Sequence, residues 1–140
     1  MVITSDLRIK AAAEFELRRR KKTFRQWLEM VSPQYRWNVP HLEVDQEYLQ
    51  RIADGESLQI MFLKPPRHGK SLQDTIHFAS YYLYKNPHLH VLTGAYNQEF
   101  ANGFSLASRQ LYRGCMPGES SKNTVMEWHT DRGEIGRAHV

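Results

Sequence analysis

The spacing of apolar positions predicts five helices along the chain. Residues 5–22 are rich in the strong helix formers Ala, Glu, Leu, Arg and Lys. Apolar residues then recur at intervals of three and four over 23–31, behind a capping-box pair formed by Thr23 and Gln26. A third helix is predicted from 42 to about 53, closed by Asp54-Gly55.

Two later stretches repeat the same spacing. The fourth helix follows Ser71 and ends at Asn86-Pro87, and its apolar stripe is Leu72, Ile76, Ala79 and Leu83. Asn97 is a suitable N-cap for a fifth helix that stops near Gly114. The inward face predicted for that helix is Phe100, Phe104, Ala107 and Leu111.

Short apolar runs between these helices predict strands. Residues 58–63 and 89–95 are almost wholly apolar and bounded by turn formers, as expected for strands buried on both faces, and 125–128 is a possible third strand. Strand, helix, strand, helix in this order favours right-handed parallel crossovers. The predicted fold class is therefore α/β, a parallel sheet with flanking helices, of which this chain holds the N-terminal part of the domain only.

The loop between the first predicted strand and the fourth helix carries the chemistry. It reads Lys64-Pro65-Pro66-Arg67-His68-Gly69-Lys70-Ser71 and ends in the G-K-S of a phosphate-binding loop. Glycine lets backbone N–H groups turn toward a phosphate, lysine reaches the β and γ phosphates, and serine completes a Mg²⁺ shell. Lys64 stands where the motif has its first glycine, and a plain strand-to-helix turn is the alternative interpretation.

Composition narrows the class of protein. The 140 residues are 41% hydrophobic with a net charge of +4, as in an ordinary globular domain with a modest preference for polyanions. Cys115 is the only cysteine, which excludes an internal disulfide and a thiolate zinc cluster. No apolar run reaches membrane-spanning length, so we expect a soluble, intracellular protein with no membrane partner.

The two ends are set apart from the segment that carries the predicted phosphate-binding loop. Residues 1–22 form a basic helical arm ending in Arg18-Arg19-Arg20-Lys21-Lys22, interpreted either as a solvated helix or as a contact to DNA phosphates or an acidic partner. Residues 134–140 include the hexapeptide that a widely used sequencing adapter would encode, so we expect a non-native, adapter-derived tail. The domain proper is predicted to span 23–133.

Together these features resemble the N-terminal ATPase domain of the large terminase subunit of tailed bacteriophages. The likeness covers roughly 24–132 and depends above all on the loop, whose form is similar to the family's own variant. The other matching positions are Pro33, Tyr35, Trp37, His41-Leu42, Tyr81-Tyr82-Leu83, Asn86-Pro87, Gly94-Ala95-Tyr96, Ala101, Phe104-Ser105, Arg109 and Trp128-His129-Thr130.

The resemblance implies a DNA-packaging motor that hydrolyses ATP with Mg²⁺ to move double-stranded DNA into a capsid. It implies that Lys70 holds the β and γ phosphates and that Ser71 binds Mg²⁺. The implied nucleotide contacts are Pro66, Arg67, His68, Gly69, Lys70, Ser71, Leu72 and His41. Arg67 is implied as an arginine finger, with a salt bridge at the loop base as the alternative, and His41 as an adenine contact or a structural hydrogen bonder.

The same resemblance implies protein partners, and it shows which catalytic parts this sequence lacks. It implies a homo-oligomeric ring in the host cytoplasm that works with a portal protein and a small terminase subunit. A second carboxylate strand, a catalytic glutamate and the acidic cluster of a nuclease are missing from the sequence, so the full-length protein is expected to be the enzyme and this fragment inactive. Two rival classes stay open: another nucleotide-binding enzyme of the phosphate-loop type, and a non-catalytic module that binds DNA or a partner protein.

Overall fold

Helices make up most of the described chain. The computed structural model describes residues 5–115 and the backbone of residues 127–129 and 134–139. Its α-helices are α1 (Ser5–Lys21), α2 (Phe24–Val31), α3 (Pro40–Ala53), α4 (Phe78–Lys85) and α5 (Gln98–Cys115). A π-helix, Ser71–His77, runs without a break into α4. All five predicted helices are thus present, although the π-helical turn is a form that the apolar spacing did not indicate.

The predicted parallel-sheet fold is wrong. Residues 58–63, expected to be a strand buried on both faces, form no strand, and their side chains Met61 and Leu63 are 81% and 84% exposed. Of the strand predicted over 89–95, two residues remain as β1 (Thr93–Gly94). A strand that is buried on both faces needs paired strands beside it and covering layers on each face, and within the described residues no strand pairs with 58–63.

The strand pairing that does occur is small and lies toward the end of the chain. β2 (Glu127–His129) pairs antiparallel with β3 (Glu134–His139), and β3 pairs in parallel with the two residues of β1. β2 overlaps the predicted third strand, of which residues 125 and 126 lie outside the described residues. β3 falls inside the tail predicted to be adapter-derived, which stays a prediction, as do the other domain boundaries.

The capping box at the start of α2 is confirmed. The Gln26 N–H donates to Thr23 Oγ1 at 3.2 Å, and the Thr23 N–H donates back to Gln26 Oε1 at 3.0 Å. Two of the amides that a helix start leaves unpaired are therefore satisfied. α2 consequently begins at a fixed residue and buries Phe24, Trp27 and Leu28.

An aromatic core joins α2 to α4. The rings of Phe24 and Tyr81 stack with centroids 5.1 Å apart, and Trp27 packs against both Tyr81 and Tyr84. The Tyr81 hydroxyl donates to the backbone oxygen of Lys22 at 2.8 Å, so its polar end is satisfied. Burial raises the pKa of Tyr81 to about 12, which keeps the ring neutral in the core.

A buried histidine fixes the π-helix against α2. His77 Nδ1 donates to the carbonyl of Leu72 at 2.7 Å, which leaves Nε2 to accept from the Ser32 hydroxyl at 2.8 Å. The indole of Trp37 donates to the Ser32 carbonyl at 2.9 Å on the same side. Burial lowers the pKa of His77, consistent with the neutral ring that this arrangement needs.

α5 begins as expected but buries a different face. The Phe100 N–H donates to Asn97 Oδ1 at 2.9 Å, which confirms Asn97 as the cap. The buried positions are Ala101, Ser105, Ser108 and Tyr112, one residue after each member of the predicted face. Phe100 is 47% exposed and contacts Tyr96. The predicted face was wrong because apolar spacing marked the larger side chains, whereas the helix buries the small residues beside them and Tyr112.

Within the described residues, none of the helices combines the length and the apolar character that crossing a bilayer requires.

The capping box gives a direct test of the α2 boundary. Replacing Thr23 with Ala removes the oxygen that accepts the Gln26 N–H and should lower the free energy of unfolding by about 1 kcal/mol. Thr23→Ser keeps that oxygen and serves as the matched control. The measurement is the urea midpoint of each variant, and an Ala variant as stable as the Ser variant would show that the cap contributes nothing.

Candidate phosphate-binding loop

The backbone of the loop reverses sharply just before the π-helix. Arg67 and Gly69 both have positive φ, at 62° and 77°. Positive φ is uncommon for a residue with a side chain, and at Arg67 it places a strained backbone in the segment singled out by sequence. Left-handed residues that alternate with ordinary ones turn successive N–H groups toward one side, which makes a concave site for an anion.

Two features of the structure favour glycine at position 69: a positive φ and a close approach to Leu42. Its φ of 77° is in the region that favours glycine, and a Cβ there would lie 3.2 Å from Leu42 Cδ2 of α3. The close approach places the loop directly on the start of α3. The Gly69 carbonyl then accepts from the Gln73 N–H at 2.8 Å, so Gly69 is also where the following helix begins its hydrogen bonding.

The side chains predicted to contact phosphate are open to solvent. Lys70 and Ser71 are exposed at the start of the helix, as are Arg67 and His68 in the loop. The N–H groups of a first helical turn lack partners within their helix and carry the positive end of its dipole. The arrangement can therefore accept an anion with backbone N–H groups, an ammonium and a hydroxyl together.

The two predicted histidine contacts lie together. The rings of His41 and His68 are edge to face with centroids 5.4 Å apart, and His68 Nδ1 donates to the Pro66 carbonyl at 2.9 Å. His41, at the second residue of α3, thus stands beside the loop although it is 27 residues before His68. Leu72 differs from the other predicted contacts, since it is half-buried and packs against the core.

Arg67 is exposed and has no acidic partner in an ion pair among residues 5–115. The alternative interpretation of Arg67 as a salt bridge at the loop base is therefore not supported. The implied role as an arginine finger stays a prediction.

Sequence reasoning missed the group that holds the loop from below. Lys64 Nζ is hydrogen bonded to a carboxylate oxygen of Asp45 and donates to the His41 carbonyl at 2.9 Å. The residue that replaces the first glycine of the motif is thus an anchor between the loop and α3. A signal was present, because Asp45 falls on the same helical face as Leu42 and Leu49, where a carboxylate needs a partner.

A magnesium ion would depend on Ser71 and the nucleotide itself. The described residues contain no group of three or more His, Cys, Asp or Glu side chains that could hold a metal. The Ser71 hydroxyl is exposed at the helix start, next to Lys70, and is free to complete the shell of an ion already bound by phosphate oxygens. The residues present therefore fit Mg²⁺ as a companion of a nucleotide.

Comparisons with models of protein families, with curated proteins and with solved structures found no match to this chain.

Proposed function

We propose that this chain binds the triphosphate of Mg-ATP in the loop from Pro66 to Ser71. The observation that supports the proposal is the left-handed backbone at Arg67 and Gly69 immediately before an exposed Lys70 at the start of a helix. This combination offers inward N–H groups, a helix dipole and a cation to one anion. A plain turn into a helix would need neither the strained arginine nor the packed glycine.

Each residue has a distinct task in the proposed complex. Amides of His68, Gly69 and Lys70 donate to phosphate oxygens, and the Lys70 ammonium neutralises the β and γ phosphates. Ser71 would complete the shell of Mg²⁺, which supplies charge neutralisation between those phosphates when bound. The His41 and His68 rings stand at the side of the loop, where His41 can contact the base.

The wider role that we propose follows from the resemblance to terminase ATPase domains. In that role the full-length protein is a motor that uses ATP to move double-stranded DNA into a capsid, as a homo-oligomeric ring in the host cytoplasm. Its proposed protein partners are a portal protein and a small terminase subunit. The proposed fragment binds nucleotide and hydrolyses it poorly, because the sequence offers no carboxylate strand to position Mg²⁺ and water.

The basic end of α1 is the candidate DNA contact. Arg18, Arg20 and Lys21 are exposed within a single turn of the helix. Arg18 pairs with Glu14, but both side chains are exposed. An exposed ion pair contributes little free energy, so a phosphate can replace Glu14 as the partner of Arg18. Three such cations on one helix end suit a sequence-independent contact to a phosphate backbone.

The charge of Lys70 gives the most direct test of nucleotide binding. Lys70→Ala should weaken Mg-ATP binding at least about tenfold, the loss expected for one charged hydrogen bond. Lys10→Ala, which removes an exposed lysine from α1, is the matched control and should bind as the parent does. Calorimetric titration measures both, and a folded parent chain indifferent to millimolar Mg-ATP would contradict the proposal.

The backbone of Gly69 can be tested separately from charge. Gly69→Ala introduces a Cβ at positive φ and against Leu42, so we expect a loss of about 1 kcal/mol in stability and a loss of Mg-ATP binding. Gly55→Ala is the matched control, since its φ is 102° but no atom lies within 4 Å of the added Cβ. Thermal melting and titration should show destabilisation in both variants but lost binding in the Gly69 variant alone.

The DNA contact is tested by charge removal. The triple variant Arg18→Gln, Arg20→Gln, Lys21→Gln should weaken binding to double-stranded DNA equally for unrelated sequences. The slope of log affinity against log salt concentration should become shallower by about 0.9 for each phosphate that the variant no longer neutralises. Arg8→Gln, Lys10→Gln, Arg51→Gln removes the same charge elsewhere. Equal effects of the two triples, measured by fluorescence anisotropy at several salt concentrations, would show that net charge alone acts.

A further inference from the structure

Two carboxylates meet beneath the loop. Asp45 of α3 is 3% exposed, and Asp74 lies in the π-helix three residues after Ser71. Lys64 reaches the pair from the loop side, and its side chain is 11% exposed. Lys64 is the one cation that the described residues place against this pair of acids.

Buried amides lie next to Asp74, but they donate a hydrogen bond to only one of its two carboxylate oxygens. Gln73 Nε2 donates to Asp74 Oδ1 at 3.0 Å and to the Leu42 carbonyl at 3.2 Å. Gln46 Nε2 donates to Gln73 Oε1 at 2.8 Å, which fixes the orientation of the Gln73 amide. Asp74 Oδ2 is buried and meets no donor among the described residues.

A proton would satisfy this oxygen. Two carboxylates in contact can form a hydrogen bond only when one of them carries a hydrogen. Burial is the main cause that raises the pKa of Asp74 to about 7. The hydrogen bond from Gln73 lowers this pKa, a hydrogen bond and charge from Asp45 raise it, and the charge of Lys64 lowers it. His90 lines the same cavity of about 480 Å³ as Asp74.

We propose that Asp45 and Asp74 share one proton, and that its release to solvent weakens Mg-ATP binding at the loop. This inference rests on the proposed function. With the proton in place, Asp74 adds no charge, and Lys64 is hydrogen bonded to Asp45. Without it, an uncompensated negative charge stands one turn inside the helix whose positive end faces the triphosphate, and it opposes the anion.

The expected size follows from the separation of one helical turn. One added charge about one helical turn from the phosphates, in a medium between protein interior and water, weakens binding by about fivefold. Affinity of the parent chain for Mg-ATP should therefore fall by about fivefold between about pH 6 and pH 8.5, beyond any change that belongs to the nucleotide itself.

Asp74→Asn tests the linkage, because the amide keeps the shape and cannot ionise. Titration of the nucleotide itself affects the parent and Asp74→Asn equally. The ratio of their affinities for Mg-ATP therefore reports the ionisation of Asp74 alone. The ratio should change about fivefold from about pH 6 to pH 8.5. Asp54→Asn, which removes an exposed carboxylate paired with Lys85, should leave the pH dependence of the parent unchanged.

A second measurement needs neither variant nor ligand. Carboxyl ¹³C NMR of the parent should show an aspartate that titrates near pH 7. Parallel pH profiles in parent and Asp74→Asn, with Mg-ATP bound by both, would overturn the inference and leave the proposed function standing. Absence of Mg-ATP binding at every pH would overturn the proposed function, and absence of the titrating carboxyl would overturn the shared proton separately.

Discussion

The close packing of Gly69 on Leu42 is the constraint on which the loop depends. Positive φ is costly at Arg67, which carries a side chain, and it persists only where surrounding contacts hold it. Here α3 lies directly against the glycine, and Lys64 ties the base of the loop to Asp45 and to the His41 carbonyl. The turn is therefore held in position by the helix beneath it.

Hydrogen bonds also fix the π-helix that follows the loop to α2 and α3. His77 accepts from Ser32 and donates to the Leu72 carbonyl, so the π-helical turn is joined to the end of α2 through one imidazole. Gln73 joins it to α3 through the Leu42 carbonyl and Gln46. These bonds lie within two helical turns of Lys70, which places a rigid polar support below the candidate phosphate site.

Helices were predictable from this sequence because their evidence is local. The capping box of Thr23 and Gln26, the cap at Asn97 and the stop at Asn86 each act within a few residues of the chain. The turn before the π-helix was predictable for the same reason, since a glycine at positive φ and a lysine at a helix start can be recognised in a short motif. Asp45 was missed because its partner, Lys64, is 19 residues away.

The strands were predictable only in part, because strand formation depends on neighbours that a local pattern does not contain. The run 58–63 has the composition of a buried strand, yet Met61 and Leu63 lie exposed without a strand beside them in the part of the chain that the structure describes. The face of α5 was wrong for a related reason. Small residues such as Ala101 and Ser108 are buried, and Ser108 donates to the Ile76 carbonyl of the π-helix, while Phe100 is 47% exposed.

The central claim is that the backbone between Pro66 and Ser71 surrounds the phosphates of a nucleotide. Amide ¹⁵N–¹H NMR during titration with Mg-ATP tests it most directly. The account predicts that the largest shifts belong to the N–H groups of His68, Gly69 and Lys70, with α1 unaffected. Unchanged loop amides at millimolar Mg-ATP in a folded chain would contradict it.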